Sequence, residues 1–570
     1  MISGAALTRA IARYEQELAD YATRNVSNEE GVRSAFKGLL DACTPTGWLL
    51  ILEDRLANGV KPDGTMRDDY NLRRGYWEAK DTHDDLETEI KKKLAKGYPT
   101  SNIIFEDTRR AVLYQGGRRN DFDLRKRSDV IALLTAFIDY QEPEVEGFHQ
   151  AVAEFGEHIP DLATGLKQRI EAERAANNQQ FKTAWASFYT LCKTTLDPNI
   201  RAETVDDMLV QHLLTERLFR TVFDNPDFLR RNVIAVEIEQ VIAALTSRAF
   251  NRNDFLRALD RFYVAIENEA RGLTDWSEKQ GFMNTVYERF FQNWSKRQAD
   301  THGIVYTPQP IVDFMCASVE EVLRRDFNTS LSAPGVSVLD PATGTGSFIV
   351  NILNRIEPGT LAQKYAQDLF ANEIMLLPYY IASLNIEHAY YERTGQYAPF
   401  PGICFADTLE LADPLAHTGH TQAMIFSEAN TERVEREQDA KIMVVIGNPP
   451  YNVGQVNEND NNKNRKYDVI DKRVSATYAK DSQATNRNAL SDPYVKFFRW
   501  ATDRLGGRDG VVCMVTNNSF VDQIAFDGMR RHLLDDFTAI YHIDLHGNVR
   551  QNPKLSGTTQ IGRASCRERV

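Results

Sequence analysis

The stretch Ile442-Met443-Val444-Val445-Ile446-Gly447-Asn448-Pro449-Pro450-Tyr451 constrains this chain more than any other. Its first five residues form a short, continuous, β-branched apolar run, the pattern of a parallel strand buried on both faces. The tetrapeptide after Gly447 therefore falls where such a strand ends, the ligand edge of an open α/β sheet. Asn448 carries an amide oxygen and an NH2 group. Pro449 and Pro450 have fixed φ, and their carbonyls are left outside strand pairing. Tyr451 brings an aromatic face for stacking. Together the four suit a planar group bearing an amine: acceptors for its N–H bonds and a ring against its π face.

The remaining chain sets the context. At 570 residues several domains are expected, each long enough for its own core. No apolar stretch approaches the ~18 residues of a membrane span, and the N-terminus lacks a signal-peptide apolar region. The expectation is a cytoplasmic protein with no membrane partner. The six cysteines are scattered singly, without a CxxC or Cys/His cluster, which argues against a disulfide framework or structural zinc. A net charge of −13 excludes a uniformly basic nucleic-acid binder but leaves room for a local basic groove. Ile561–Val570 (IGRASCRERV) matches the translated frame of a common sequencing adapter. It is set aside as read-through, with the chain expected to be truncated near Gln560.

At the front, Ser27-x-x-Glu30 ahead of Val32, Phe36, Leu39 and Leu40 reads as a capping box opening an amphipathic helix. Trp48–Leu52 is a strand candidate. Pro62-Asp63 lies in a turn-rich stretch, and Tyr76–Lys80 reads as a second strand. Alternation along that strand puts Glu78 and Lys80 on one face. Asp63 and Glu78 would then hold a divalent cation, Mg2+, through oxygen ligands, with Lys80 positioning the attacking water. Glu30 is a further candidate ligand, although its capping role also accounts for it. The order capped helix, strand, Pro-Asp, Glu-x-Lys resembles the PD-(D/E)xK nuclease core. The basic runs Lys91–Lys93, Arg109-Arg110, Arg118-Arg119 and Arg125–Arg127 suit a DNA backbone, and solvated faces explain them equally.

From about residue 129 to 296 the pattern is helical. Val210, Leu214, Leu218 and Val222 recur every four residues after a cap signal at Thr204-x-x-Asp207, as in a helical connector. No GxxxxGK[ST] occurs, so no ATP motor of that kind is expected in this chain. Beyond it, Tyr306-Thr307-Pro308 leads into a helix begun by Pro310. Val336–Leu339 forms a strand ending in the Gly-rich turn Asp340-Pro341-Ala342-Thr343-Gly344-Thr345-Gly346-Ser347-Phe348. Leu369–Glu373 and Ile403–Asp407 read as further strands, with Glu373 and Asp407 at their ends. Gly454–Ala489 is polar and Asn-rich, which reads as a long loop beside the target pocket or as a disordered insertion.

That order of motifs resembles the S-adenosylmethionine-dependent DNA adenine-N6 methyltransferases. DPYVKFFRWATDRL (Asp492–Leu505), VTNNSF (Val515–Phe520) and DLHGN (Asp544–Asn548) resemble the single-chain type ISP restriction-modification enzymes. The layout, with no helicase between nuclease and methyltransferase, is closer to a type IIG fusion. The resemblance implies an α/β multidomain chain. Its parts are a restriction-endonuclease-like domain over 1–128, a helical connector over 129–296 and a Rossmann-like methyltransferase domain over 297–560, C-terminally truncated. Tyr306, Thr307 and Pro308 would shape the cofactor pocket. Asp340, Ala342, Gly344, Gly346 and Phe348 would hold the methionine end of the cofactor, Glu373 its ribose, and Asp407 its adenine or that base's amine. Asn448 and Pro449 would accept from the target adenine amine beside Pro450, and Tyr451 would stack on the base, flipped out of double-stranded DNA.

The leading expectation is a restriction-modification enzyme that methylates its own DNA and cleaves unmarked DNA. The alternatives are a methyltransferase whose front domain is inactive or only grips DNA, and a non-catalytic DNA-binding defence scaffold. Glutamine and RNA adenine methyltransferases use similar tetrapeptides, but their compact architecture leaves the front domain unexplained. Sequence recognition is expected in a C-terminal domain beyond the truncation. The sequence sets no oligomeric state.

Overall fold

The computed structural model describes residues 4–23, 29–45, 47–56, 59–68, 73–80, 85–140, 148–176, 178–197, 200–222, 231–246, 259–272, 307–412, 428–450 and 466–545. The chain divides into two compact units, Met1–Arg169 with Arg257–Ala265, and Ile170–Leu256 with Ile266–Val570. Among the described residues no helix is long and apolar enough to cross a membrane.

The first unit is built on a six-stranded sheet in sequential order. Its strands are β1 (Leu49–Leu52), β2 (Gly64–Arg67), β3 (Arg73–Ala79), β4 (Asn102–Glu106), β5 (Arg110–Gln115) and β6 (Arg118–Asp123). Only β3 and β4 run parallel; the crossover between them carries α3 (Leu86–Ala95). The other neighbouring strands pair antiparallel. Helices α1 (Gly4–Thr23), α2 (Glu29–Cys43) and α4 (Arg127–Ile138) supply the apolar cover. Phe36 of α2 stacks on Trp77 of β3 with ring centroids 5.8 Å apart, inside a core that also takes Ile11, Leu40, Ile104 and Leu133. Sequence reading found the β1 and β3 regions but missed β2, β4, β5 and β6. The last of these is almost wholly charged (RRNDFD), as an exposed edge strand should be.

The second unit has a five-stranded, all-parallel sheet in the order β11-β10-β7-β8-β9. The strands are β7 (Ser337–Asp340), β8 (Leu369–Glu373), β9 (Ile403–Phe405), β10 (Ile442–Gly447) and β11 (Val511–Met514). The chain steps from β7 through β8 to β9 on one side and returns to β10 and β11 on the other. The order reverses at β7, which puts the ligand edge between β7 and β10. Strands β7 and β8 are buried at every residue, which is why they read as short apolar runs with polar residues confined to their ends.

Ahead of the sheet lie helices α5 (Phe148–Ala175), α6 (Gln179–Thr195), α7 (Ala202–Val222), α8 (Val233–Thr246) and α9 (Asp260–Gly272), followed by α10 (Gln309–Asp326). Helix α7 starts two residues before the expected Thr204 cap, so Thr204 lies inside its first turn. After β7 come α11 (Ser347–Arg355), α12 (Pro358–Gln367) and α13 (Leu376–Thr394). Helix α13 is buried almost all round, the signature of a helix covered on both sides. One side meets α11 beside the sheet, and the other meets α7. There the buried His212 bridges Tyr380 Oη at 2.9 Å and Glu239 Oε1 at 2.6 Å through its two ring nitrogens. His212, Glu216 and Glu239 keep their ligand atoms within 4.8 Å of one another.

The expected loop over 454–489 is corrected where the structure describes it. After α14 (Glu428–Asp439), α15 (Asp468–Val474) continues into one wide helical turn at Ser475–Ala479. Ile470, Val474 and Tyr478 are all buried, and their spacing of four residues was the overlooked signal. Helices α16 (Pro493–Leu505), α17 (Ser519–Asp522) and α18 (Asp527–Asp536) complete the described chain. Phe520 packs against Tyr494 and Phe498, the core reading.

The sheet edge at β9 depends on Gly402. A Cβ there would lie 2.0 Å from the Leu369 carbonyl oxygen, a backbone atom that cannot step aside. Gly402→Ala is expected to destabilise the second unit by about 1–3 kcal/mol or more. A thermal melt followed by circular dichroism would show a drop of several degrees; an unchanged melt would refute the account.

Candidate functional site

Parallel pairing of β7 with β10 brings two strand ends together. Val444 and Val445 stand opposite Val338 and Leu339, so Asp340 and the Asn448 corner emerge on the same edge. Gly447 permits this closeness: a Cβ there would sit 2.7 Å from Asp340 Oδ1. The sequence reading passed over Gly447 as a spacer.

Asp340 is fully buried. Its Oδ1 accepts from the Ala342 amide at 3.2 Å, while Oδ2 has no hydrogen-bond partner among the described residues. Burial pushes its carboxyl up to about 7, against the lowering effect of the Ala342 bond. Glu373, the last residue of β8, closes the next position. It accepts from Gly344 N and Met375 N, both at 2.8 Å, and so ties the Gly-rich turn to β8. Burial raises Glu373 to about 8, with Asp340 adding repulsion and the backbone bonds opposing it.

The two glycines of the turn do different work. Gly344 has φ +55°, and a Cβ there would meet nothing within 4 Å among the described residues. Gly346 has φ +86° and begins α11; its missing side chain lets α13 approach, since a Cβ would lie 3.2 Å from Ala382 Cα and from Ile386 Cγ1. The sequence reading gave both glycines to ligand approach, and at Gly346 the close neighbour is a helix. Phe348 is buried in the first turn of α11.

Asn448 Nδ2 donates to Thr307 Oγ1 at 3.1 Å, which joins the Thr307-Pro308 segment at the start of α10 to the Asn448 corner. Asn448 Oδ1 is buried and has no partner among the described residues. Pro449 is buried and Pro450 half-buried. Tyr306 and Tyr451 lie outside the described residues. Asp407, just past β9, accepts from Leu409 N and from Tyr467 Oη, each at 3.0 Å. Tyr467 was not foreseen; it sits immediately before the overlooked helix α15.

The first unit gathers a second group. Asp63 precedes β2 and Glu78 lies in β3, strands whose register pairs Gly64 with Trp77. The Asp63 amide donates to Glu78 Oε2 at 3.3 Å, and Asp63 Oδ2 accepts from Ala79 N at 2.8 Å. Burial and then the Glu78 charge raise the Asp63 carboxyl. Lys80 Nζ lies 3.2 Å from Glu78 Oε1, and Lys93 of α3 contacts the same oxygen. For Lys93, burial favours the neutral amine, but the Glu78 bond and charge outweigh it and the ammonium is stabilised overall. From α2, Arg33 reaches Asp63 Oδ1 at 3.3 Å. The side chain of Glu30 lies outside those described. Arg33 and Lys93 were missed, the latter counted only as part of a basic run. Several other residues of the basic runs are ion-paired: Arg110 and Arg119 with Glu87 and Asp121, Arg125 with Asp123.

The buried Glu373 carboxyl makes stability depend on pH. Its folded pKa, about 8, lies above the unfolded value of ~4.3. Its contribution is therefore complete below ~4.3 and is lost as pH rises to about 8. Glu373→Gln holds the position uncharged. Urea unfolding should show the stability of wild type relative to this variant falling between about pH 5 and about pH 8.5. A difference constant with pH would contradict the assignment.

Comparison with known proteins now adds family identity. Residues 152–278 match the type ISP restriction-modification enzyme coupler domain, and residues 278–536 match the N-6 DNA methylase family. No curated protein sequence matches the chain. Among solved structures, a DrdV–DNA complex determined by cryo-EM is 38% identical with a TM-score of 0.62, covering 93% of this chain and 52% of that one. The ATP-dependent type ISP restriction-modification enzyme LlaBIII bound to DNA is 31% identical, TM-score 0.62, covering 71% of this chain and 27% of its own. A nuclease-deletion mutant of the type ISP enzyme LlaGI with a DNA substrate mimic is 31% identical, TM-score 0.60, covering 72% and 33%. The chain thus spans about half or less of the length of these relatives. Over residues 152–536 it belongs to the type ISP coupler and N-6 DNA methylase families, and it resembles the type ISP restriction-modification enzymes.

Proposed function

We propose that this chain methylates the N6 amine of adenine in double-stranded DNA with S-adenosylmethionine, and that its first unit cleaves unmodified DNA with Mg2+. The observation that carries the methylation reading is the buried Asn448 Oδ1, without a partner among the described residues, at the edge where the strand ends bearing Asp340, Glu373 and Asp407 lie. A buried acceptor without a donor costs about 1–3 kcal/mol, and an amine N–H supplied by a substrate removes that cost.

The residues present fit the cofactor that the N-6 DNA methylase family implies. Asp340 offers a second acceptor without a described partner, and a Cβ on Gly344 would meet nothing within 4 Å among the described residues. Asp340, the Gly344 turn, Glu373 and Asp407 would hold it. S-adenosylmethionine supplies an electrophilic methyl carbon on a sulfonium. Asn448 Oδ1 and the Pro449 carbonyl would accept the two N–H bonds of the target amine. That draws its nitrogen from planar toward tetrahedral and frees the lone pair for attack. Thr307, accepting from Asn448 Nδ2, holds the amide in place at this corner. Alignment and electrostatics carry the step, with no covalent intermediate on the protein. Tyr451 would stack on the flipped base.

Asn448→Ala is expected to reduce methyl incorporation into DNA by about a hundredfold or more. Titration calorimetry should find its affinity for S-adenosylmethionine within a few-fold of wild type. Loss of cofactor binding would remove the role assigned to Asn448, and failure of wild type to bind would remove the enzymatic reading in favour of a scaffold.

For cleavage, Asp63 and Glu78 offer carboxylate oxygens from adjacent strands, a donor set suited to Mg2+, with Lys80 beside them. A second reading, methylation without cleavage, draws support from the cations already seated on this pair: Arg33 on Asp63 and Lys93 on Glu78. Unmethylated plasmid incubated with the protein, Mg2+ and S-adenosylmethionine separates the two. The cleavage reading expects wild type to cut and Lys80→Ala to be at least about a hundredfold slower. If neither cuts while labelled methyl enters adenine, the second reading stands.

A further inference from the structure

Tyr467 is held from several directions at once. Its backbone N–H donates to Asp471 Oδ2 at 2.9 Å. Its ring packs on the cluster that includes Leu409, Ile470 and Phe497, and Lys496 Nζ lies 5.1 Å from the ring centroid. Lys496 is itself anchored on Asp471 Oδ1 at 2.7 Å. With the ring so placed, the hydroxyl donates to Asp407 Oδ2 at 3.0 Å, while Leu409 N donates to Oδ1. The turn beyond Asp407 is pinned as well, because Thr408 Oγ1 donates to the Pro341 carbonyl at 2.6 Å. Two donors on different oxygens fix both the position and the rotation of a carboxylate. An sp2 oxygen has two lone pairs, so one hydroxyl donor does not exhaust it.

We propose that Tyr467 is a positioning residue of the cofactor site, which turns the Asp407 carboxylate to accept from the 6-amino group of the cofactor's adenine. The inference rests on reading the second unit as an S-adenosylmethionine site. It adds a residue that lies 60 positions after Asp407 and follows the Asn448 corner in the chain. A carboxylate rejects a 6-oxo purine through repulsion of its carbonyl, and a fixed carboxylate rejects it better than a rotating one.

The test uses S-adenosylhomocysteine and S-inosylhomocysteine, the latter with a 6-oxo group in place of the amine, in equilibrium binding to the whole chain. Wild type should prefer the adenine ligand by about a hundredfold. Tyr467→Phe keeps the ring, so its melt should stay cooperative and fall by no more than a few degrees. It should bind S-adenosylhomocysteine about tenfold more weakly, and its preference over the inosine ligand should shrink by about tenfold. In an Asp407→Ala background the preference should already be gone, and adding Tyr467→Phe should change nothing further. A Tyr467→Phe protein that discriminates as well as wild type would overturn the inference and leave the cofactor site standing. Wild type binding both ligands equally would overturn it through Asp407. Wild type binding neither would overturn the cofactor reading and this inference together.

Discussion

The second unit depends on the contact between Gly447 and the Asp340 carboxylate. Adjacent parallel strands carry their chains about 4.8 Å apart, and at this strand end a Cβ on residue 447 would lie 2.7 Å from Asp340 Oδ1. Here β10 ends in a residue with no side chain, and the Asp340 carboxylate fills that space. The consequence runs in both directions. Asp340 is enclosed on the β10 side and loses its water, which raises its pKa. Asn448, the next residue, leaves the strand directly beside it. A larger residue at 447 would separate the strand ends, and with them the cofactor-side carboxylate from the amide oxygen proposed to hold the target.

The strand ends also share an electrostatic character. Asp340 and Glu373 are both fully buried carboxyls drawn toward neutral pKa values, about 7 and about 8. Neither is answered by a salt bridge among the described residues. Backbone N–H groups from Ala342, Gly344 and Met375 address them instead. Backbone donors hold the carboxyls in place without a fixed cation, so the edge stays receptive to a ligand carrying hydroxyl or amine donors. A Lys or Arg at the same positions would have stabilised the unliganded fold and closed the edge to such a ligand.

Legibility from sequence followed how local each feature was. Strands β7, β8, β9 and β10 were readable because parallel strands covered on both faces are written as mostly apolar runs, and a polar residue of the site stands at or within two residues of each strand's end. The helical stretch before them was readable from its period of four. What escaped was set by partners distant in sequence. Tyr467 was hidden because polar residues precede it and its hydroxyl finds Asp407 only after folding. Gly346 was assigned to the ligand side, although the helix it accommodates, α13, lies some thirty residues further on. In the first unit β2, β4, β5 and β6 are short, β6 is mostly charged, and tertiary pairing rather than local propensity decides them. Lys93 was a member of a charge run until α3 brought it against Glu78.

The cluster in the first unit shows what a metal ion would have to displace on the cleavage reading. Arg33 and Lys80 lie against Asp63 and Glu78, and Lys93 adds a second ammonium on Glu78 Oε1. A divalent cation bound through Glu78 would compete with both lysines for that oxygen. They differ in what else holds them. Lys93 Nζ also lies 3.2 Å from the Tyr98 hydroxyl and 4.9 Å from the centroid of its ring, and that hydroxyl is fixed by the Lys61 carbonyl at 2.9 Å. An ammonium moving off Glu78 in this direction keeps a hydrogen-bond acceptor and a π face, so its departure costs less than a return to an unpaired buried charge. Lys80 is the more buried of the two and leaves strand β3 directly after Ala79, with its own amide bonded to the Glu106 carbonyl at 2.8 Å. On the cleavage reading, Lys93 would be the cation to give way to the metal, and Lys80 the one to stay beside the attacking water.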